Sequence, residues 1–279
     1  MKLHALASLL LLAAFSASAQ APKPSTAQPG VTMLASELDM PGLNRKRQLR
    51  IYLPPGYATS TKRYPVLYMH DGQNLFDNAT AYAGEWNVDE TLNALAQEGK
   101  LELIVVGVDN GREKRMTELN PWSHEKIGPG EGRQYMDFIV KTVKPLIDSS
   151  YRTLPDRANT AVMGSSMGGL ISHYAINQYP DVFSKAGVFS PAYWPTGDQI
   201  FKFAESSKAR SDARLYLLMG EKEGNGMVRD VRRMHAELKK AGHPDANQWL
   251  KVVPGAEHNE GFWSREFREA VLWMFAASK

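Results

Sequence analysis

Two segments far apart in the chain carry residue types suited to acyl transfer, Gly164-Ser165-Ser166-Met167-Gly168 and Pro254-Gly255-Ala256-Glu257-His258. A serine hydroxyl is a weak nucleophile until a histidine removes its proton. A carboxylate must in turn hold that ring in the right tautomer and stabilise the imidazolium that forms. The first segment reads G-x-S-x-G with Ser166 at its centre, and Ser165 is out of register. Glycines on both sides clear space for a strained strand-to-helix turn, which exposes the serine oxygen and aims a helix N-terminus at developing negative charge. Such a pentapeptide is common by itself, and a glycine-rich helix start with capping serines would look the same. Its weight comes from context: an apolar run, Thr160 to Met163, precedes it and a helical pattern, Met167 to Gln178, follows.

The chain order expected for this turn is Ser, then Asp or Glu, then His. His173 lies about two helical turns beyond Ser166, too far along the same helix to serve. His235 sits among Arg232, Arg233, Lys239 and Lys240, and His243 follows Gly242 where that helix should stop, so both read as solvated or capping residues. His258 falls in a loop between the last strand-like run and the last helix, where a general base belongs. For the acid, the apolar run Leu215 to Met219 leads into Gly220-Glu221-Lys222-Glu223-Gly224, and both Glu221 and Glu223 qualify. Glu223, set back from the strand end and followed by glycine, has more freedom to turn toward His258.

Acyl transfer also needs two N–H donors at the tetrahedral oxygen, each worth about 3 kcal/mol. Met167 supplies one, and Gln73 is the candidate for the other, because Gly72 in the loop His70-Asp71-Gly72-Gln73 should let the backbone turn inward. His70 and Asp71 have no companion cluster with ligand spacing, so no metal is expected there. Trp86, Arg115, Trp122, Tyr193, Trp194 and Trp263 recur in the loops and are candidates for an aromatic substrate pocket, with Arg115 free to bind a carboxylate or phenolate or to pair with Glu118.

What must position these residues is an alternation of short apolar runs with helical segments. Tyr64 to Met69, Leu101 to Val108, Thr160 to Met163, Ala186 to Phe189, Leu215 to Met219 and Trp249 to Val253 read as strands buried on both faces. Val88 to Ala96, Gly132 to Ile147, Met167 to Gln178, Met227 to Lys240 and Phe262 to Ala277 have helical spacing. This implies an α/β fold with a mainly parallel sheet, helices on both faces and a site at the carboxyl ends of the strands. Val31 to Leu38 and Arg47 to Leu53, flanking a turn at Pro41 to Asn44, predict an antiparallel pair at the N-terminus.

Composition narrows the rest. The 279 residues suit one domain, 31–279, and 33 Lys plus Arg against 30 Asp plus Glu leave no basic field for nucleic acid. Met1-Lys2, an apolar run from Leu6 to Phe15 and the small residues to Ala21 read as a signal peptide over residues 1–19, cut near Ala19 or Ala21, and too short to anchor in a membrane. Residues 20–30, rich in Pro, Ser and Gly, read as a flexible leader. The chain lacks cysteine, which removes thiol chemistry and disulfides. The expectation is an exported protein, periplasmic or else secreted, acting on a small-molecule or glycan-linked ester without a cofactor, its oligomeric state open.

From about Arg47 to Phe275 the chain resembles the putative-esterase branch of the α/β-hydrolases, which includes feruloyl and acetylxylan esterases, S-formylglutathione hydrolases and enterochelin esterases. The resembling pieces include YPVLYMHDGQNLFD, GEWNVDETL, RMTELNPW, MGSSMGGLISHYAINQYPDVFSKAGVFSPAYW and PGAEHNEGFW. The resemblance implies Ser166 as nucleophile, His258 as base, and Met167 with Gln73 as oxyanion donors. It places the acid three residues after the glycine closing its strand, which points from Gly220 to Glu223, with Glu where many relatives have Asp. It leaves the substrate among several ester classes: a siderophore or other catecholate ester ranks slightly ahead of a feruloyl or acetylxylan ester, and a non-catalytic binding protein on the same fold is the alternative of another kind.

Overall fold

The computed structural model describes residues 23–206 and 211–276. The expected signal peptide lies outside them. Within the expected leader, Ser25 and Thr26 hydrogen bond to Asp77, Thr26 also to Glu85, and the Gln28 N–H to Asp89 at 2.8 Å. These ties are polar, so a reading of apolar content misses them.

The strands are β1 (Val31–Met33), β2 (Leu38–Met40), β3 (Arg45–Arg47), β4 (Leu49–Tyr52), β5 (Val66–His70), β6 (Ile104–Val108), β7 (Thr160–Ser165), β8 (Lys185–Phe189), β9 (Arg214–Gly220) and β10 (Gln248–Val253). An eight-stranded sheet runs in the order β1-β4-β6-β5-β7-β8-β9-β10, parallel from β6 to β10, with β4 and β1 added antiparallel at one edge. The antiparallel start is as expected, but divided: β2 and β3 form a separate hairpin around the Pro41 to Asn44 turn, while β1 pairs with β4.

The helices are α1 (Val88–Gln97), α2 (Arg115–Glu118), α3 (Gly132–Phe138), α4 (Lys144–Ser150), α5 (Met167–Gln178), α6 (Gln199–Glu205), α7 (Asn225–Lys240) and α8 (Glu260–Phe275). α3 and α4 are one helical rod joined by a π turn at Ile139–Val143. Pro145 explains the turn: it has no N–H to give and its ring would strike the carbonyl four residues back, and widening the helix relieves the clash.

Alternate residues along each central strand enter opposite cores, the pattern of a sheet buried on both faces. Val66, Tyr68, Val106, Val162, Val188 and Leu217 face the layer holding α3 to α7. Leu67, Met69, Val105, Met163, Phe189 and Leu218 face α1 and α8. Among the described residues no helix is long and apolar enough to cross a membrane.

Candidate active site

β7 ends at Ser165 and α5 begins at Met167, so Ser166 is the corner between them. Its backbone has φ 58 and ψ −118, outside the ordinary regions for an L-residue, and it is partly exposed between buried neighbours. The Ser166 N–H donates to the Phe189 carbonyl at 2.9 Å, fixing the corner against β8. Gly164 is required by contact: a Cβ there would stand 2.9 Å from the Gly168 carbonyl carbon. Met167 opens the helix, where the first N–H groups have no intrahelical partner.

The candidate acid and the candidate base meet at the ends of β9 and β10. Glu223 Oε2 lies 2.6 Å from His258 Nδ1. Its Oε1 accepts the Gly220 N–H at 2.7 Å and the Ser190 hydroxyl at 2.6 Å, and the side chain has no exposed surface. His258 remains 35% exposed. With Nδ1 occupied by the carboxylate, Nε2 is the nitrogen available to a substrate-side partner. Asn259 follows as the N-cap of α8, its side chain accepting from Phe262 N–H at 2.9 Å, which fixes the loop carrying His258. No hydrogen bond joins Ser166 Oγ to His258 here; such bonds commonly tighten only with substrate in place. Glu221, the other candidate acid, instead accepts the Gly255 N–H.

The loop after β5 packs against the serine corner, His70 and Asp71 standing 3.3 and 3.4 Å from where a Gly168 Cβ would lie. Its turn is made by Asp71, with φ 57, and not by Gly72 as the sequence suggested. Gly72 is needed for proximity, since a Cβ would come within 2.7 Å of Asp109 Oδ1 and 2.8 Å of the Gly107 carbonyl carbon. Asn74 and Leu75 N–H groups bond back to Asp71 and Gly72, which leaves that of Gln73 unspent among the described residues. Gln73 is held at both its ends, Oε1 accepting from Asn110 N–H at 3.0 Å and its carbonyl from Thr80 at 2.8 Å.

Asp71 is locked by Arg115, with Nε at 2.6 Å and the second nitrogen at 2.9 Å, and by Asn110 at 2.6 Å. Burial alone would raise its carboxyl pKa, but the Arg115 charge and these bonds hold it below the usual range. Of the alternatives open for Arg115, the pair with Glu118 is not formed, because Arg45 and Arg47 take Glu118. His70 contacts Tyr135 through Nδ1 at 2.8 Å, and burial lowers its pKa to about 4. Among the described residues, Glu85, Asp89 and Glu90 are the acidic group whose oxygens, within 4.8 Å of one another, could hold a cation.

The aromatic candidates disperse. Trp86 and Tyr193 are core residues, 3% and 2% exposed, with Trp86 stacked on Phe189 and Tyr193 hydroxyl bonded to His173 at 2.7 Å. Trp122 packs edge-on against Tyr174 and Phe203. Trp263 is buried beside His258 at 4.9 Å between ring centres. Trp194 alone of the set is well exposed, at 55%, in the loop after β8, beside His124. Two residues went unnoticed in the sequence: Ser190, one serine among many until β8 places it against Glu223, and Tyr82, 93% exposed beyond the β5 loop.

The model of the family described as "Putative esterase" matches residues 41–274. The uncharacterized protein YbbA of Bacillus subtilis is 28% identical over 247 residues, covering 84% of this chain and 94% of that protein. An endo-1,4-beta-xylanase/feruloyl esterase of Xylanibacter ruminicola is 27% identical over 144 residues, covering 50% of this chain but 19% of that protein. The crystal structure of enterochelin esterase from Shigella flexneri superposes with a TM-score of 0.72 at 17% identity, covering 91% of this chain and 60% of that one. With an α/β-hydrolase sheet and a family match over most of its length, the chain belongs to this esterase family and is a carboxylic ester hydrolase.

Proposed function

We propose that ester hydrolysis proceeds through an acyl-Ser166 intermediate, with His258 as general base and then acid, Glu223 as its orienting carboxylate, and the Met167 and Gln73 N–H groups as the oxyanion site. His258 Nε2 takes the Ser166 proton as Oγ attacks the ester carbonyl. The tetrahedral oxyanion is met by the two N–H donors, collapse expels the alcohol with the proton from His258, and water repeats the sequence to release the acid. The observation that carries this reading is the Glu223–His258 contact at 2.6 Å, which commits Nδ1 and leaves Nε2 for the serine. Ser166→Ala should abolish hydrolysis of p-nitrophenyl acetate while remaining folded, and retained activity would sink the mechanism.

For the substrate, a catecholate ester of the siderophore kind is the leading choice. Trp194 and Tyr82 stand exposed on loops following the carboxyl ends of β8 and β5, where ligands of such sheets bind, and they offer flat apolar faces to an aryl group. The likeness to an enterochelin esterase structure agrees with this. The relative with feruloyl esterase in its name supports a hydroxycinnamoyl ester as the second reading. Comparing kcat/KM on enterobactin, methyl ferulate and acetylated xylan separates them, and preference for the acetylated glycan would overturn both aryl readings. Export to the periplasm belongs to the same proposal and is tested by cell fractionation.

A further inference from the structure

Ser190 and Trp263 have no part in the chemistry just described, yet Ser190 is bonded to its acid and Trp263 to Ser190. Ser190 follows β8 directly, is wholly buried, and holds a φ of 42 that few non-glycine residues adopt. Its own N–H is fixed to the Leu218 carbonyl at 2.7 Å, so the strained position ties β8 to β9. From there Oγ stands 2.8 Å from Trp263 Nε1 and 2.6 Å from Glu223 Oε1.

The polarity of this chain is determined. An indole N–H can only donate, so Ser190 Oγ accepts from Trp263 and must send its one hydrogen to Glu223. The Gly220 N–H donates to the same oxygen. Oε1 therefore receives two hydrogen bonds while Oε2 is left to His258. A glutamate has one more rotatable bond than an aspartate and needs such a hold to present one oxygen reproducibly. Trp263 also bounds the base, its ring crossing that of His258 at 87° and 4.9 Å, and it is itself packed against Trp86. One indole thus touches the base with its ring and supports the acid through Ser190.

We infer that Ser190 and Trp263 are positioning residues that hold Glu223 aimed at His258, and that Trp263 belongs to the catalytic support rather than to a substrate pocket. The inference rests on the proposed triad. Since neither residue reaches the ester in this role, their loss lowers kcat and leaves KM nearly unchanged. Ser190→Ala removes the hydroxyl without altering the Cβ, and kcat should fall roughly 10- to 100-fold, the size expected when a hydrogen bond to a charged group is lost. Trp263→Phe should lower kcat in the same direction, and the double variant should be little worse than Ser190→Ala.

The deciding measurement is a double-mutant cycle with Glu223→Gln, read in kcat against p-nitrophenyl acetate, with urea unfolding of each variant to confirm that it is folded. If Ser190 acts through Glu223, Ser190→Ala costs less than about twofold in the Glu223→Gln background. An equal loss in both backgrounds, a rise in KM in place of a fall in kcat, or wild-type kcat in Ser190→Ala would each overturn the inference. Should Ser190→Ala fail to fold, Trp263→Phe gives the same cycle. If Ser166→Ala stays active, the triad itself is wrong. If Ser166→Ala is dead while Ser190→Ala is unimpaired, only the positioning role falls.

Discussion

Glu221 accepts the backbone N–H of Gly255 at 3.0 Å, two residues before Glu223 reaches the side chain of His258. Both acidic residues of the β9 turn therefore serve the same loop by different means. Glu221 ties its backbone, helped by the Lys222 N–H on the Ala256 carbonyl at 2.9 Å, and Glu223 holds its ring. The two should separate cleanly on mutation. Glu223→Gln should lower kcat by roughly 10³- to 10⁴-fold, as expected when a triad acid loses its charge and favours the wrong imidazole tautomer. Glu221→Gln should stay within about tenfold of wild type, because one exposed hydrogen bond is worth about 1 kcal/mol. Steady-state kinetics on a chromogenic ester decide it, and equal losses would remove the distinction.

Arg115 offers a second test, since its side chain is committed to Asp71 by two hydrogen bonds. Asp71 makes the turn that presents the Gln73 N–H. Arg115→Ala should destabilise the fold by about 1–3 kcal/mol, less than for a wholly buried pair because the arginine is 25% exposed. It should lower kcat by a similar factor for neutral and for carboxylate-bearing esters. A loss confined to the KM of anionic esters would instead show that Arg115 binds substrate.

The residues of the proposed triad stood out in the sequence because each candidate follows a strand end, and strand ends are visible as places where an apolar run meets glycine. Gly164 before Ser166, Gly220 before Glu223 and Gly255 before His258 are such marks. The helix bounds were equally readable where periodicity was undisturbed, as in α5. What could not be read was which polar groups face each other across strands. Ser190 lies 33 positions from Glu223 and 73 from Trp263, and no local pattern couples them. Tryptophans misled for the opposite reason: a ring in a loop looks available, whereas Trp86 turns inward onto Phe189 and fills the core between β8 and α8.

Stability should pass through a maximum in mildly acidic to neutral solution, for two separable reasons. Burial pushes Asp89 up to about 8, with the neighbouring Glu90 side chain adding to the shift. From about pH 4 to 8 the folded state thus holds a proton that the unfolded chain has released, so this group's contribution falls as pH rises. Burial lowers His70 to about 4 and His173 to about 3. Below about pH 6.5 the unfolded chain takes up protons that the folded state refuses, so their contribution falls as pH falls. Urea midpoints measured from pH 4 to 9 should show both limbs. Asp89→Asn should flatten the alkaline limb and spare the acid one, and an unchanged alkaline slope would refute the assignment.

Trp194 and Tyr193 are neighbours in sequence with opposite expected phenotypes. Tyr193 is buried, and its hydroxyl lies 2.7 Å from His173 Nδ1, so Tyr193→Phe should cost about 1 kcal/mol of stability and leave substrate preference alone. Trp194 is 55% exposed and touches His124 edge-on, so Trp194→Ala should change stability by less than about 0.5 kcal/mol. If its exposed face receives the aryl group, removing it should raise KM for catecholate or hydroxycinnamoyl esters several-fold and leave p-nitrophenyl acetate unaffected, since loss of one aromatic contact is worth about 1 kcal/mol. An equal change for small and aryl acyl groups would place the aryl-binding surface elsewhere, with Tyr82, exposed beyond the β5 loop, the next residue to replace.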